Sequence, residues 1–241
     1  MMENRIQKMR RLKDRAEEGT LNEKIAYADW MLYHCPDQIN ETNLPAIRSY
    51  YMDGVRNRNV RAILGMGQMY EEGCTGKENI PAAMRLYRRA VSCAKEEAER
   101  QMAVTLLARL YLERTTGNEQ DTAADLIFQE ADRMTDLKFA PFAMVMGDLQ
   151  RNGIGVRKCA HSAYESYLMA KSVILSTEEN RRFLPDILIR YGEVYGFGLY
   201  VPKDQMKAEG YFAEAEALLG SEGRSRQNRE RIQKDRLAIQ E

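Results

Sequence analysis

Residues 191–215 read YGEVYGFGLYVPKDQMKAEGYFAEA. Four glycines and one proline interrupt residues that otherwise favour helix, so the stretch is either a phosphate-cradling loop or the join between two helices. A phosphate loop needs a preceding strand and a GxxxxGK[ST] run opening a helix, and neither is present. Read as a join, Gly192 lies inside a first helix that Gly196 and Gly198 end. The run VPKDQ then turns into a second helix with Ala208, Phe212 and Ala215 on one face. The same reading covers GCTGKENIP at 73–81.

Working outward, the first of these helices recurs along the chain as small-x-x-x-large-small-x-x-Tyr, a single face of a helix. It reads Ala62, Met66, Gly67, Tyr70 and again Ala103, Leu107, Ala108, Tyr111. Looser copies are Ala26, Trp30, Met31, His34, then Phe142, Met146, Gly147, Gln150, then Ile187, Tyr191, Gly192, Tyr195. In all five an aromatic follows the last position by 17 residues: Tyr51, Tyr87, Phe128, Tyr167 and Phe212. The starts of the copies are 36, 41, 39 and 45 residues apart, so length varies only between copies. A fixed turn inside a helical hairpin produces this pattern, because one inserted residue would rotate one packing stripe away from the other. The mid-helix glycines at 67, 147 and 192 each cost about 1 kcal/mol relative to Ala, which points to close helix approach.

The runs NGIGVRKCAHSAYESYLMAK (152–171), GFGLYVPKDQMKAEGYFAEA (196–215) and AILGMGQMYEEG (62–73) resemble the Sel-one-like repeat, a relative of the tetratricopeptide repeat. The first copy, with Met31 and His34, and the third, with ERTTGNEQDT at 113–122, depart from that pattern. The resemblance implies an all-α, right-handed α–α superhelix of about five hairpins and a role as adaptor or scaffold. Some such relatives are exported, carry a disulfide in each repeat and act on β-lactams. This chain lacks their cysteine pairing. The expected organisation is an N-terminal capping helix at 1–20 and a repeat domain at 21–219. Its repeats lie near 26–54, 62–90, 103–131, 142–170 and 187–215, and a charged helix follows at 220–241. Thr20 with Glu23 and Ser176 with Glu179 have the spacing of capping boxes.

Composition narrows the function classes. Thirty-six basic residues balance 36 acidic ones in 241, which leaves no global electrostatic case for nucleic acid or an anionic membrane. There is no apolar N-terminal run and no 18-residue apolar window, so a cytoplasmic protein is expected. Cys35, Cys74, Cys93 and Cys159 form no CxxC pair and there are two histidines, so no metal, no cofactor and reduced thiols are expected. Cys159 and His161 are close in sequence, but two-residue spacing at a helix start points them to different faces, and no catalytic pair is expected. His34 falls on the repeat's tyrosine position and is expected to pack.

A protein or peptide partner in the concave groove is the leading expectation. Counting from the small residue as zero, position six is left available by the packing stripe. It holds Leu32, Gln68, Arg109, Asp148 and Glu193, with Arg190 nearby. The expected partner-binding set is therefore Gln68, Arg109, Asp148, Arg190 and Glu193. One alternative is a nucleic-acid-associated protein using its basic ends, with Arg224, Arg226, Arg229, Arg231, Lys234 and Arg236 at the C-terminus. Interleaved acids and the lack of stacking aromatics there count against it. The other is an enzyme or regulatory subunit with a pocket the sequence does not display.

Overall fold

A computed structural model describes residues 2–74, 76–176, 180–219 and 224–240. Among them are twelve α-helices, two 3-10 turns and no strand. The helices are α1 (Met2–Glu17), α2 (Leu21–His34), α3 (Leu44–Arg56), α4 (Val60–Glu71), α5 (Ile80–Cys93), α6 (Glu97–Arg114), α7 (Asn118–Ala131), α8 (Ala140–Asn152), α9 (Ala160–Ser176), α10 (Leu184–Gly196), α11 (Gln205–Leu218) and α12 (Arg224–Gln240). They fall into two compact units, residues 1–103 and 104–241, with α6 containing the boundary.

The constant interval has a backbone cause. In the turns after α4, α8 and α10 the third residue past the repeat's last position is a left-handed glycine: Gly73, Gly153 and Gly198, with φ of 70°, 71° and 65°. The next amide returns to the helix end, Cys74 to Met69 O, Ile154 to Leu149 O and Leu199 to Val194 O. Nine residues past the last position the amide of the next helix's N-cap closes the turn, Asn79 to Tyr70 O, Cys159 to Gln150 O and Asp204 to Tyr195 O. Asn79 and Asp204 then cap α5 and α11 through their side chains. Asn43, at the same register, opens α3. The third copy differs: α7 starts after Gly117, a turn earlier, so its helix extends where the others have loop.

The hairpins close through one glycine and one aromatic. A Cβ placed on Gly67 would lie 2.5 Å from the Tyr87 ring, on Gly147 2.4 Å from Tyr167 and on Gly192 2.3 Å from Phe212. Each pair joins helices of one hairpin, α4 with α5, α8 with α9 and α10 with α11. In the first copy Met31 fills the small position, and Tyr51 instead lies against Gly65 of α4, where a Cβ would come within 2.4 Å.

In the first unit α1 packs on α2, and Ala16 is its buried contact. Thr20 and Glu23 form the expected capping box, with the Thr20 amide donating to Glu23 Oε2 at 2.9 Å. The second expected box includes Glu179, which lies outside the described residues. In the second unit α12 packs on α10 and α11, burying Ile232 and Ile239 against Leu188, Ile189, Ala208, Phe212 and Ala215. An otherwise polar helix thus covers the last apolar surface of the stack.

Candidate functional site

The buried aromatics of the second helices carry hydroxyls that need partners, and first helices supply carboxylates. Tyr51 donates to Asp29 at 2.9 Å, Tyr87 to Glu71 at 2.8 Å and Tyr167 to Asp148 at 2.8 Å. Two of these carboxylates are neutralised from the next hairpin. Arg61 of α4 reaches Asp29 at 2.6 Å, and Arg190 of α10 makes a two-pronged contact with Asp148 in which Nε stands 2.9 Å from Oδ1. A second set lies one turn along: Arg151 of α8 and Arg231 of α12 both donate to Glu193 of α10, the latter at 2.5 Å. Asn228 of α12 adds a bond to Asp186 at 3.3 Å.

Position six is therefore not a solvated face in the second unit. Glu193 is 2% exposed, Arg190 7% and Leu32, in the first unit, 3%, which corrects the expectation that these positions are available. Neutralisation by Arg151 and Arg231 lets Glu193 bury its charge, and Asp148 does the same for Arg190. Asp148 is half-buried in the same cluster. Arg109 and Gln68 stay half-buried and reach one turn along their own helices, to Glu113 at 3.0 Å and Glu72 at 2.8 Å. The structure thus joins Asp148, Arg190 and Glu193 in neighbouring contacts, while Gln68 belongs to the other unit. The sequence did not single out Asp29, Arg61, Glu71 or Arg151, and it placed Arg231 only in a basic C-terminal end. Their signal would have been acids beside the packing stripe with an arginine 32 to 42 residues away in either direction.

Asp235 of α12 faces Glu193 in this cluster. Burial, then the Glu193 charge, push its carboxyl up to about 7. Its Oδ2 has no donor, Arg231 Nε standing 4.0 Å away. Burial alone would raise Glu193 as well, but Arg231 and Arg151 reverse this and hold it at about 2. With Glu193 held low and Asp235 pushed up, the carboxyl of the pair that stays protonated toward neutral pH is Asp235. Because the folded-state value of Asp235 lies above its ordinary 3.8, its stabilising contribution is complete below that value and is lost as pH rises through about 7. Glu193 acts in the opposite sense and only toward pH 2, outside that window. Asp235→Asn is expected to flatten the fall in urea midpoint between about pH 5 and 7. An unchanged slope would remove Asp235 as the proton's site.

A second cluster occupies the side formed by α9, α10 and α11. Tyr191 and Tyr195 of α10 stack on Tyr211 of α11, with ring centroids 5.5 and 5.7 Å apart. Tyr164 of α9 meets Tyr191 at 6.2 Å and Tyr200 at 5.7 Å, and His161 stacks on Tyr200 at 4.5 Å. The Lys171 and Lys207 ammoniums sit over the Tyr191 and Tyr195 rings at 4.9 and 3.8 Å. A hydrogen bond with Lys207 lowers the Tyr195 phenol, and burial raises that of Tyr191, whose buried hydroxyl has no partner. Tyr200 has φ of 68°, at the register where the preceding hairpin's turn has Gly155 at 64°.

No catalytic pair forms at Cys159 and His161. Ser162 donates its amide and hydroxyl to Cys159 Sγ at 3.5 and 3.2 Å, whereas His161 lies on Tyr200. His34 packs as expected, stacked on Trp30 at 4.1 Å. A cleft of about 450 Å³ on α3 is lined by Leu44, Pro45, Arg48, Ser49, Met52 and Arg56, without a carboxylate or imidazole to act as a base. Among the basic residues of α12, Arg229 binds Leu219 O, Arg231 binds Glu193 and Arg236 binds Glu209 and Glu216. The side chains of Arg224 and Arg226 lie outside the described residues. Among the described residues no acid, thiol or imidazole group is arranged to hold a metal ion, and no helix is long and apolar enough to cross a membrane.

No protein-family model and no curated protein matches the chain. Solved structures do. A protective antigen present in uropathogenic Escherichia coli strains, displaying an SLR fold, aligns with a TM-score of 0.59 at 14% identity over 95% of this chain and 47% of that one. A Sel1 repeat protein from Oxalobacter formigenes aligns with a TM-score of 0.60 at 16% identity over 89% of this chain and 77% of that one. The chain spans about half the length of the first. The chain has the Sel-one-like repeat fold, an α–α superhelix of stacked hairpins.

Proposed function

We propose that the chain is a non-enzymatic protein-interaction module that receives a helix or peptide of a protein partner on the position-six side of its first helices. In the second unit the contact opens when the partner displaces α12 from Glu193, beside Asp148 and Arg190, with Arg109 on the same helical position of α6 and Gln68 the corresponding residue of the first unit. One observation supports the reading above others: α12 already lies helix against helix on this side of α10, placing Arg231 on Glu193 and Asn228 on Asp186. A surface that accepts a polar, arginine-bearing helix from its own chain has the charge and shape to accept one from another. The ionisable groups that converge here are paired with one another, as in an interface and unlike a general acid–base site. The basic-arm alternative is weakened because Arg229, Arg231 and Arg236 are already engaged internally.

The test starts from a partner isolated by affinity capture with the full chain and confirmed by titration. Its affinity is then compared for wild type, Arg231→Ala, and a chain ending at Leu219, with melting curves as the folding control. Arg231→Ala keeps Arg151 on Glu193, so the fold is retained. Loosening α12 is expected to tighten binding about tenfold, roughly 1.4 kcal/mol. Unchanged affinity in both folded variants would remove this side of α10 as the binding face.

A further inference from the structure

We infer that the tyrosine cluster on α9, α10 and α11 is a second interaction surface, which takes an acidic peptide segment carrying one bulky apolar residue. Four observations converge on it. First, Tyr200 adopts φ of 68°, a conformation that disfavours any side chain, where the same turn one hairpin earlier has glycine. Burial does not compensate, since Tyr200 is 55% exposed, with its ring against those of His161 and Tyr164. An exposed aromatic held in an unfavourable backbone conformation is kept for what its ring meets outside the fold.

Second, Met206 in the first turn of α11, the helix that carries Lys207 and Tyr211, is 87% exposed and offers a flexible apolar side chain to a partner. Third, the charge over the rings selects the sign of the partner. Lys171 and Lys207 already cover the faces of Tyr191 and Tyr195, which leaves no vacant ring face there for a cationic ligand and presents two ammoniums to an anionic one. Glu214 acts on Tyr211 and Asp204 on Lys207, while the charges that act on Tyr195 are those of Lys207 and Lys171. Fourth, the Tyr191 hydroxyl is a buried donor with no protein acceptor, a cost that the packing of these rings leaves uncompensated within the fold. Single-stranded nucleic acid also binds tyrosines and lysines, but it needs a basic track along several nucleotides, and two ammoniums with a nearby carboxylate do not form one. This surface is separate from the position-six side, so it stands or falls independently of the function proposed above.

The probe is a fluorescein-labelled peptide of sequence EDEWEDE, titrated into the full chain at low salt, beside KRKWKRK, EDESEDE and an oligothymidylate of similar charge. The acidic tryptophan peptide is expected to bind saturably and at least tenfold more tightly than either other peptide. Tyr200→Gly is expected to raise the melting temperature by relieving the backbone while weakening the peptide at least tenfold, a pair of effects that a purely structural tyrosine would not produce. Lys171→Glu with Lys207→Glu is expected to abolish binding with the fold retained by circular dichroism. No saturable binding, equal binding of the basic peptide, tighter binding of the oligothymidylate, or binding indifferent to Tyr200→Gly would each overturn the inference.

Discussion

Asp148→Ala is expected to destabilise the second unit by about 3–5 kcal/mol, the usual cost of removing one partner from a buried ion pair. The loss is large because two groups depend on this carboxylate. Arg190 is buried and reaches Asp148 with two nitrogens, and the Tyr167 hydroxyl, in the core beneath it, donates to the same side chain. Removing it leaves a guanidinium and a phenol without that acceptor in a low-dielectric setting. Asp148→Asn retains an oxygen acceptor without the charge and should lose an intermediate amount. Urea unfolding followed by circular dichroism measures both, with the slope checked because two compact units need not unfold together. A loss below about 1 kcal/mol in the alanine variant would mean that water replaces the carboxylate, and that the cluster does not hold the hairpins together.

Gly147→Leu is expected to cost at least 1–3 kcal/mol, although leucine is the better helix former by nearly 1 kcal/mol. A Cβ at 147 would stand 2.4 Å from a Tyr167 ring atom and 3.1 Å from Ala163 O, and that ring is buried and tethered by its hydroxyl. Even Gly147→Ala and Gly192→Ala should lower the melting temperature. Gly210, mid-helix in α11, has nothing within 4 Å of its missing Cβ. Gly210→Ala should therefore stabilise by about 1 kcal/mol, and this opposite sign separates close approach from propensity within one protein. Equal melting temperatures across the set would show that Tyr167 and Phe212 move aside freely.

The hairpins were legible in the sequence because local rules write them. The interval from Tyr70 to Tyr87, and its counterparts, is fixed by a turn whose glycine and N-cap recur at set distances. The mid-helix glycines announce the aromatic that lies across them. The charge pattern was not legible in the same way. Asp148, Arg190 and Glu193 sit on a helical face that reads as solvated when each helix is taken alone. What buries them is an arginine 38 residues from Glu193 in the terminal helix, and one on a neighbouring first helix 42 residues away. No periodicity within one helix encodes such partners. Tyr200 shows the converse: its sequence position in the glycine turn was visible, but only the φ value shows that the tyrosine adopted the glycine's conformation.

The handover of carboxylate to guanidinium gives the stack a direction. Asp29 on α2 is completed by Arg61 on α4, Asp148 on α8 by Arg190 on α10, and Glu193 on α10 by Arg231 on α12. In these three cases a carboxylate draws a guanidinium from the element that follows, and Glu193 also holds Arg151 of the preceding hairpin. A cut after α3 or α9 strips Asp29 or Asp148 of its guanidinium, whereas a cut before α12 leaves Glu193 with Arg151. α12 acts as the terminator: it lacks the repeat pattern yet carries Arg231, the cation that the next hairpin would have brought, and so it closes the series electrically as well as covering its last apolar surface.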